Sequence, residues 1–110
     1  MNYFNKNEQS KITNQDEMKL KSLLSSDDKD QLYSFLYETD LNLNLINSLE
    51  LIINNTLLTE NYKILLIKNL KYDFLLNINQ VDEYGNHPLI YCVKNNELEL
   101  SNMVVHGLQS

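Results

Sequence analysis

The chain has 110 residues, nine Lys, no Arg and fifteen acidic side chains, for a net charge of −6. That is one small domain, with neither the basic face nor the guanidinium forks that direct nucleic-acid binding uses. Hydrophobic residues make up 43%, against two Gly and one Pro, which argues against a disordered chain and against a turn-rich all-β fold.

The lone Cys92 has no partner for an internal disulfide, so nothing ties the fold to an oxidising compartment. Met1 to Asp16 contains no apolar signal-like stretch, and no apolar run is long enough to span a bilayer. Cytoplasmic or nuclear residence is expected, with no membrane partner. Ala and Trp are absent while Asn, Lys, Ile and Leu abound. That is the signature of an AT-rich genome, and on this reading surface Asn and Lys reflect codon supply rather than function. The Asn54-Asn55-Thr56 glycosylation triplet reads as a chance match, because no secretory signal accompanies it.

In chain order, residues 1–15 are polar apart from Tyr3, Phe4 and Ile12 and read as a flexible tail, with Tyr3-Phe4 as its potential anchor on a partner. From Asp16, Met18, Leu20, Leu23 and Leu24 recur at helical spacing. Ser25-Ser26-Asp27-Asp28 reads as a turn and N-cap for a second helix carrying Leu32, Phe35 and Leu36 on one face, with Tyr33 and Tyr37 beside it. Thr39 to Asn47 alternates Asn with Leu and fits either a strand or an Asn-rich loop. A second hairpin follows. Leu49 to Ile53 form its first helix, Asn54-Asn55 its turn, and Tyr62 to Ile67 its second helix, which ends at Lys68-Asn69. A third hairpin spans Pro88 to Lys94 and Leu98 to Val105, closed by His106-Gly107. The expected architecture is all-α, a stack of helix-turn-helix hairpins with units of about 16–40, 41–79 and 80–110.

Residues 82–100 carry the sharpest local pattern: Asp82-Glu83-Tyr84-Gly85-Asn86-His87-Pro88-Leu89, then Cys92-Val93, then Leu98-Glu99-Leu100. This stretch resembles one ankyrin repeat. Asp82 and Gly85 match the turn that tips the repeat, where Gly serves a positive φ. Pro88 matches the proline that opens the inner helix, and Leu89 the inward leucine. Cys92-Val93 stand for the small pair between helices, Leu98 to Leu100 for the start of the outer helix, and Met103 to Gly107 for its end. His87 and Ile90 depart from the family's Thr and His. The motif covers about a quarter of the chain, and elsewhere only the helical pattern carries the resemblance. An unrelated array of α-hairpins is the alternative there. Leu49 and Leu89 lie forty residues apart where the family's period is about 33, so the middle unit holds an insertion, expected in Leu70 to Asn79.

The resemblance implies an ankyrin-like short solenoid that binds another protein through its turn tips and inner helices. Carried onto this chain, those are Glu83, Tyr84 and Asn86 on the fingertip and Lys94 and Asn95 at the end of the inner helix. The acidic charge suits a partner with a basic surface. The pattern also implies no enzyme and no cofactor. His87 and His106 are the only histidines, and no Cys-x-x-Cys or His-x-x-x-His pair specifies zinc. The acidic run Asp27-Asp28-Asp30 lacks the Gly and terminal Glu of a calcium loop. A Cys92 nucleophile based on His87 is the weakest reading, because Cys92 falls at a packed helix contact. The second reading is a stoichiometric accessory subunit or inhibitor embedded in a large assembly such as a ribosome or proteasome. It is prompted by the polar tail, the acidic charge and a last repeat that lacks a polar cap after Met103-Val104-Val105.

Overall fold

The computed structural model describes residues 11–106; Tyr3-Phe4 and the Gly107 stop signal lie outside them. The described chain is all-α. Its helices are α1 (Asn14–Leu24), α2 (Lys29–Thr39), α3 (Ser48–Ile53), α4 (Glu60–Phe74), α5 (Pro88–Lys94) and α6 (Leu98–Val105), with a 3-10 turn at Leu43–Leu45. No helix among the described residues is long and apolar enough to cross a membrane.

Side-chain caps decide where most of these helices start. Thr13 accepts from the Asp16 N–H, Asp28 from Gln31, Asn47 from Glu50 and Thr59 from Tyr62, each satisfying one otherwise unpaired donor of a first turn. The Thr13 cap puts Asn14 and Gln15 into α1, so the helix begins inside the segment expected to be tail.

The helices pair as three consecutive hairpins, α1–α2, α3–α4 and α5–α6. On one side α1 packs on α3 and α3 on α5; on the other α4 packs on α6. The Tyr33 hydroxyl of α2 reaches the Asp73 carboxylate of α4 at 2.9 Å. Leu20, Leu24, Leu32 and Leu36 of the first hairpin, Leu49, Ile52, Ile53, Leu66, Ile67 and Leu70 of the second, and Cys92 and Leu100 of the third form one continuous core. Burial of each large aliphatic side chain contributes about 1.5–3 kcal/mol.

Neighbouring hairpins are also pinned by polar groups. The Asn55 amide donates to the Ser25 carbonyl at 2.9 Å, and the Asn95 amide donates to the Ile53 carbonyl at 3.1 Å. The Lys63 ammonium of α4 is almost wholly buried. It donates to the Ile53 carbonyl at 2.6 Å and pairs with Glu97 at 2.8 Å. Glu97 is the N-cap residue of α6, yet its side chain makes no cap bond. Glu60 of α4 substitutes for it, accepting from the Leu100 N–H at 2.9 Å.

Three expectations are settled or corrected. The strand reading of Thr39 to Asn47 is excluded and its Asn-rich-loop alternative holds: the segment turns around the 3-10 residues into α3, with Leu41 and Leu43 buried and Asn42 and Asn44 outside. The helix expected to stop at Lys68-Asn69 runs on to Phe74. Phe74 lies 5.0 Å from both the Tyr33 and Tyr37 rings, and that aromatic packing on the first hairpin holds the extra turn. The terminator is Leu75, left-handed at φ 60, with the Leu76 N–H returning to the Leu70 carbonyl. A leucine does not read as a stop signal, whereas Gly or Asn would.

The third concerns the insertion. Asp40 and Leu75 both end a helix in the left-handed conformation, and after each comes the same pattern. Leu41 and Leu43 correspond to the buried Leu76 and Ile78, and Asn42 and Asn77 each accept from the backbone N–H two residues on. The offset here is 35 residues, but it is 40 at the inner-helix caps, Asn47 and His87. At the outer-helix caps, Asp28 and Thr59, the offset is only 31, so part of the addition lengthens α4 within the expected Leu70 to Asn79 and the rest falls beyond it, between Gln80 and His87. The latter residues build a finger that the second unit lacks.

Candidate interaction surface

The finger is organised by one carboxylate. The Asp82 N–H donates to the Asn86 carbonyl at 3.1 Å, and the Gly85 N–H to the Asp82 carbonyl at 2.9 Å. Gly85 sits at φ 82, the positive φ expected of it. Asp82 Oδ1 accepts from the N–H groups of Tyr84 and Asn86, and Oδ2 accepts from the Asn86 amide and, at 2.6 Å, from the Tyr91 hydroxyl of α5. These donors, Tyr91 first, hold the Asp82 carboxyl down at about 2. Burial and the same bond push the Tyr91 hydroxyl well above its ordinary value. The turn is therefore closed onto α5 rather than free.

At the base, His87 caps α5. Its Nδ1 accepts from the Leu89 N–H at 3.1 Å, which requires an unprotonated Nδ1. Nε2 faces Asn79 Oδ1 at 3.4 Å. His87 is thus the N-cap residue of α5, and Pro88 occupies the first helical position. Ile90 is exposed.

Of the residues the sequence nominated, Tyr84 is 80% exposed at the tip, and Glu83 beside it and Lys94 at the end of α5 are exposed as well. Asn86 and Asn95 have other tasks. The Asn86 amide braces the finger, and the Asn95 amide seats the third hairpin on the second. Neither amide offers its full hydrogen-bonding capacity to a partner.

The structure adds residues that the sequence reading passed over. Asn44 joins the two loops that lead into the inner helices: its amide donates to the Leu75 carbonyl at 3.1 Å, and its Oδ1 accepts from the Asn77 N–H and the Gln80 amide. Gln80, itself buried, also accepts from the Leu49 N–H and donates to the Ile46 carbonyl. Two open hollows of about 380 and 320 Å3 flank this junction and share Leu45, Ile46 and Asn47. The larger reaches Gln80 and Val81 at the root of the finger, and the smaller reaches Glu17, Lys21 and Glu50 on the inner helices. Glu17 and Lys21 pair with each other at 2.8 Å, whereas Glu50 joins no ion pair among the described residues. The available signal was the repeat of Asn-x-Asn at 42–44 and 77–79, which the codon-bias reading discounted.

Cys92 is fully buried, and burial, with Glu97 nearby, pushes its thiol up to about 11. Such a thiol is neither ionised nor reachable near neutral pH. Among the described residues no cluster of three His, Cys, Asp or Glu side chains is placed to hold a metal ion. Compared with family models, with curated proteins and with solved structures, the chain matches none.

Proposed function

We propose that this chain is a non-catalytic, ankyrin-like protein-interaction module acting in the cytoplasm or nucleus. Its contact surface is the finger tip at Glu83 and Tyr84, the hollows around Leu45 to Asn47, and the inner-helix residues Glu50 and Lys94. One observation carries the reading: a finger braced by six hydrogen bonds around Asp82 and Gly85 holds out a tyrosine that is 80% exposed and serves no packing role. Ordered aromatic protrusions are costly to leave in water and are typical anchors of interfaces. The expected partner is a protein with a basic patch opposite Glu83 and Glu50, and contact with it weakens as salt rises. Direct nucleic-acid contact does not fit a surface with a net charge of −6.

The test is affinity capture from the native source, read by mass spectrometry. The intact chain is compared with the Tyr84→Ala/Glu83→Ala variant and with a chain lacking residues 1–11, which keeps the Thr13 cap. A dominant protein retained by the intact and shortened chains and lost by the finger variant is the expected result. Equal capture by the finger variant sinks this surface.

The second reading, an accessory subunit or inhibitor within a large assembly, draws support from exposed Leu57, Leu65 and Tyr72 on the second hairpin, apolar area that a finger-only contact leaves in water. Capture of a whole assembly that depends on residues 1–11 favours it.

A further inference from the structure

We infer that the outward face of α4 is a docking seam for a helix of another protein, one that carries Asp or Glu beside its apolar stripe. The inference is independent of the finger, which leads into the inner helix α5, whereas α4 packs with α6 on the other side of the stack.

On the inward side of α4, Leu66, Ile67 and Leu70 are sealed in the core. The outward stripe runs Asn61, Leu65, Lys68 and Tyr72, at intervals of four, three and four residues. That spacing keeps side chains in one line along a helix, and it is the spacing at which a second helix lays its own apolar residues against them. Leu65 is 50% and Tyr72 63% exposed, and Leu57, just before the Thr59 cap, is 87% exposed. None of these three belongs to the core or packs against it.

Charge selects the occupant. α4 has two acidic side chains, and the chain itself engages both: Glu60 accepts from the Leu100 N–H, and Asp73 from the Tyr33 hydroxyl. Lys63 is buried and paired with Glu97. What remains is Lys68 in the stripe and Lys71 beside it, neither in an ion pair among the described residues. Lys71 Nζ stands 5.3 Å over the Tyr72 ring, so cation and ring are presented together. The free charge of this helix is thus entirely positive, in a chain whose net charge is −6, and a complementary helix is acidic. A second copy of the chain fits poorly. Leu65 of each copy against Tyr72 of the other brings the two Lys68 side chains together at the two-fold axis, where like charges repel. A bilayer fits poorly too, because it takes a broad apolar face rimmed by many cations rather than a single file with two.

Photo-crosslinking tests the proposal. The chain with photo-leucine in place of Leu65 is irradiated in an extract of its native source, and the cross-linked peptides are sequenced by mass spectrometry. The cross-link should land in a segment of another protein whose apolar residues recur at helical spacing with Asp or Glu beside them. Lys68→Glu/Lys71→Glu should lose it with an unchanged helical circular dichroism spectrum. If charge reversal disturbs folding, Lys68→Gln/Lys71→Gln decides in its place. Tyr84→Ala/Glu83→Ala should keep the cross-link, which separates failure here from failure of the finger. A cross-link to a second copy, to lipid, or to residues 1–10 of the same chain overturns the proposal. So does a partner segment without acidic residues, a cross-link that survives the folded lysine variant or is lost with the finger, or none at all.

Discussion

At the residue scale, Asp82 governs the finger through its ionised form. Its folded value, about 2, lies below the ordinary 3.8. Folding therefore favours the carboxylate, and the stability it contributes is complete above the unfolded value and vanishes as pH falls from 3.8 towards 2. The difference in thermal midpoint between the natural chain and Asp82→Asn should be constant near neutral pH and close over that acid window. A difference independent of pH would mean that the carboxylate's charge is immaterial. Lys63 is the second residue on which much turns. Removing its ammonium strands the Glu97 carboxylate, whose Oε1 already lacks a partner. Lys63→Met should cost about 3–5 kcal/mol in urea unfolding, and adding Glu97→Leu should restore much of it. Cys92 should resist alkylation in the native state and react once the chain is unfolded; rapid native labelling would contradict its burial.

At the scale of elements, the end of α4 is a strained junction. Leu75 adopts a left-handed conformation at φ 60 while exposing its side chain. An L side chain there costs about 1–2 kcal/mol. Leu75→Gly removes that strain at some cost in unfolded-chain entropy, and the thermal midpoint should rise. A fall would show that the leucine makes a contact worth more than the strain. The two loops entering the inner helices depend on Asn44 in the same way that the finger depends on Asp82. Asn44→Ala should speed amide exchange at Asn77 and Gln80 while leaving the helices protected. The long connection from Leu75 to His87 stays ordered because Leu76, Ile78 and Gln80 alternate inward, a strand-like rhythm in a segment that forms no strand.

For the whole molecule, the polar pins make the three hairpins one unit. Asn55 ties the second to the first, and Asn95, Lys63 and Glu60 tie the third to the second. Tyr33, Tyr37 and Phe74 span α2 and α4. Unfolding followed by tyrosine fluorescence and by helical circular dichroism should therefore give one coincident transition. Separated transitions would mean that a terminal hairpin melts alone, as weakly coupled repeats do.

The sequence by itself determined the helices and their pairing, because helical periodicity and capping residues are local: Leu20 to Leu24, Leu32 to Leu36, Asp28, Pro88 and Gly85 act within a turn or two of themselves. The resemblance of Asp82 to Leu89 to a repeat turn also marked Tyr84 as an exposed tip. Tertiary structure decided what lies beyond that range. The extension of α4 to Phe74 depends on rings of another hairpin, and the cap of α6 comes from Glu60, 37 positions before Glu97. Asn44, Asn55, Asn86 and Asn95 look alike in a chain rich in asparagine. Only the backbone brought opposite each amide shows which are braces, because a hydrogen bond depends on a partner's place in space and not on its place in the chain.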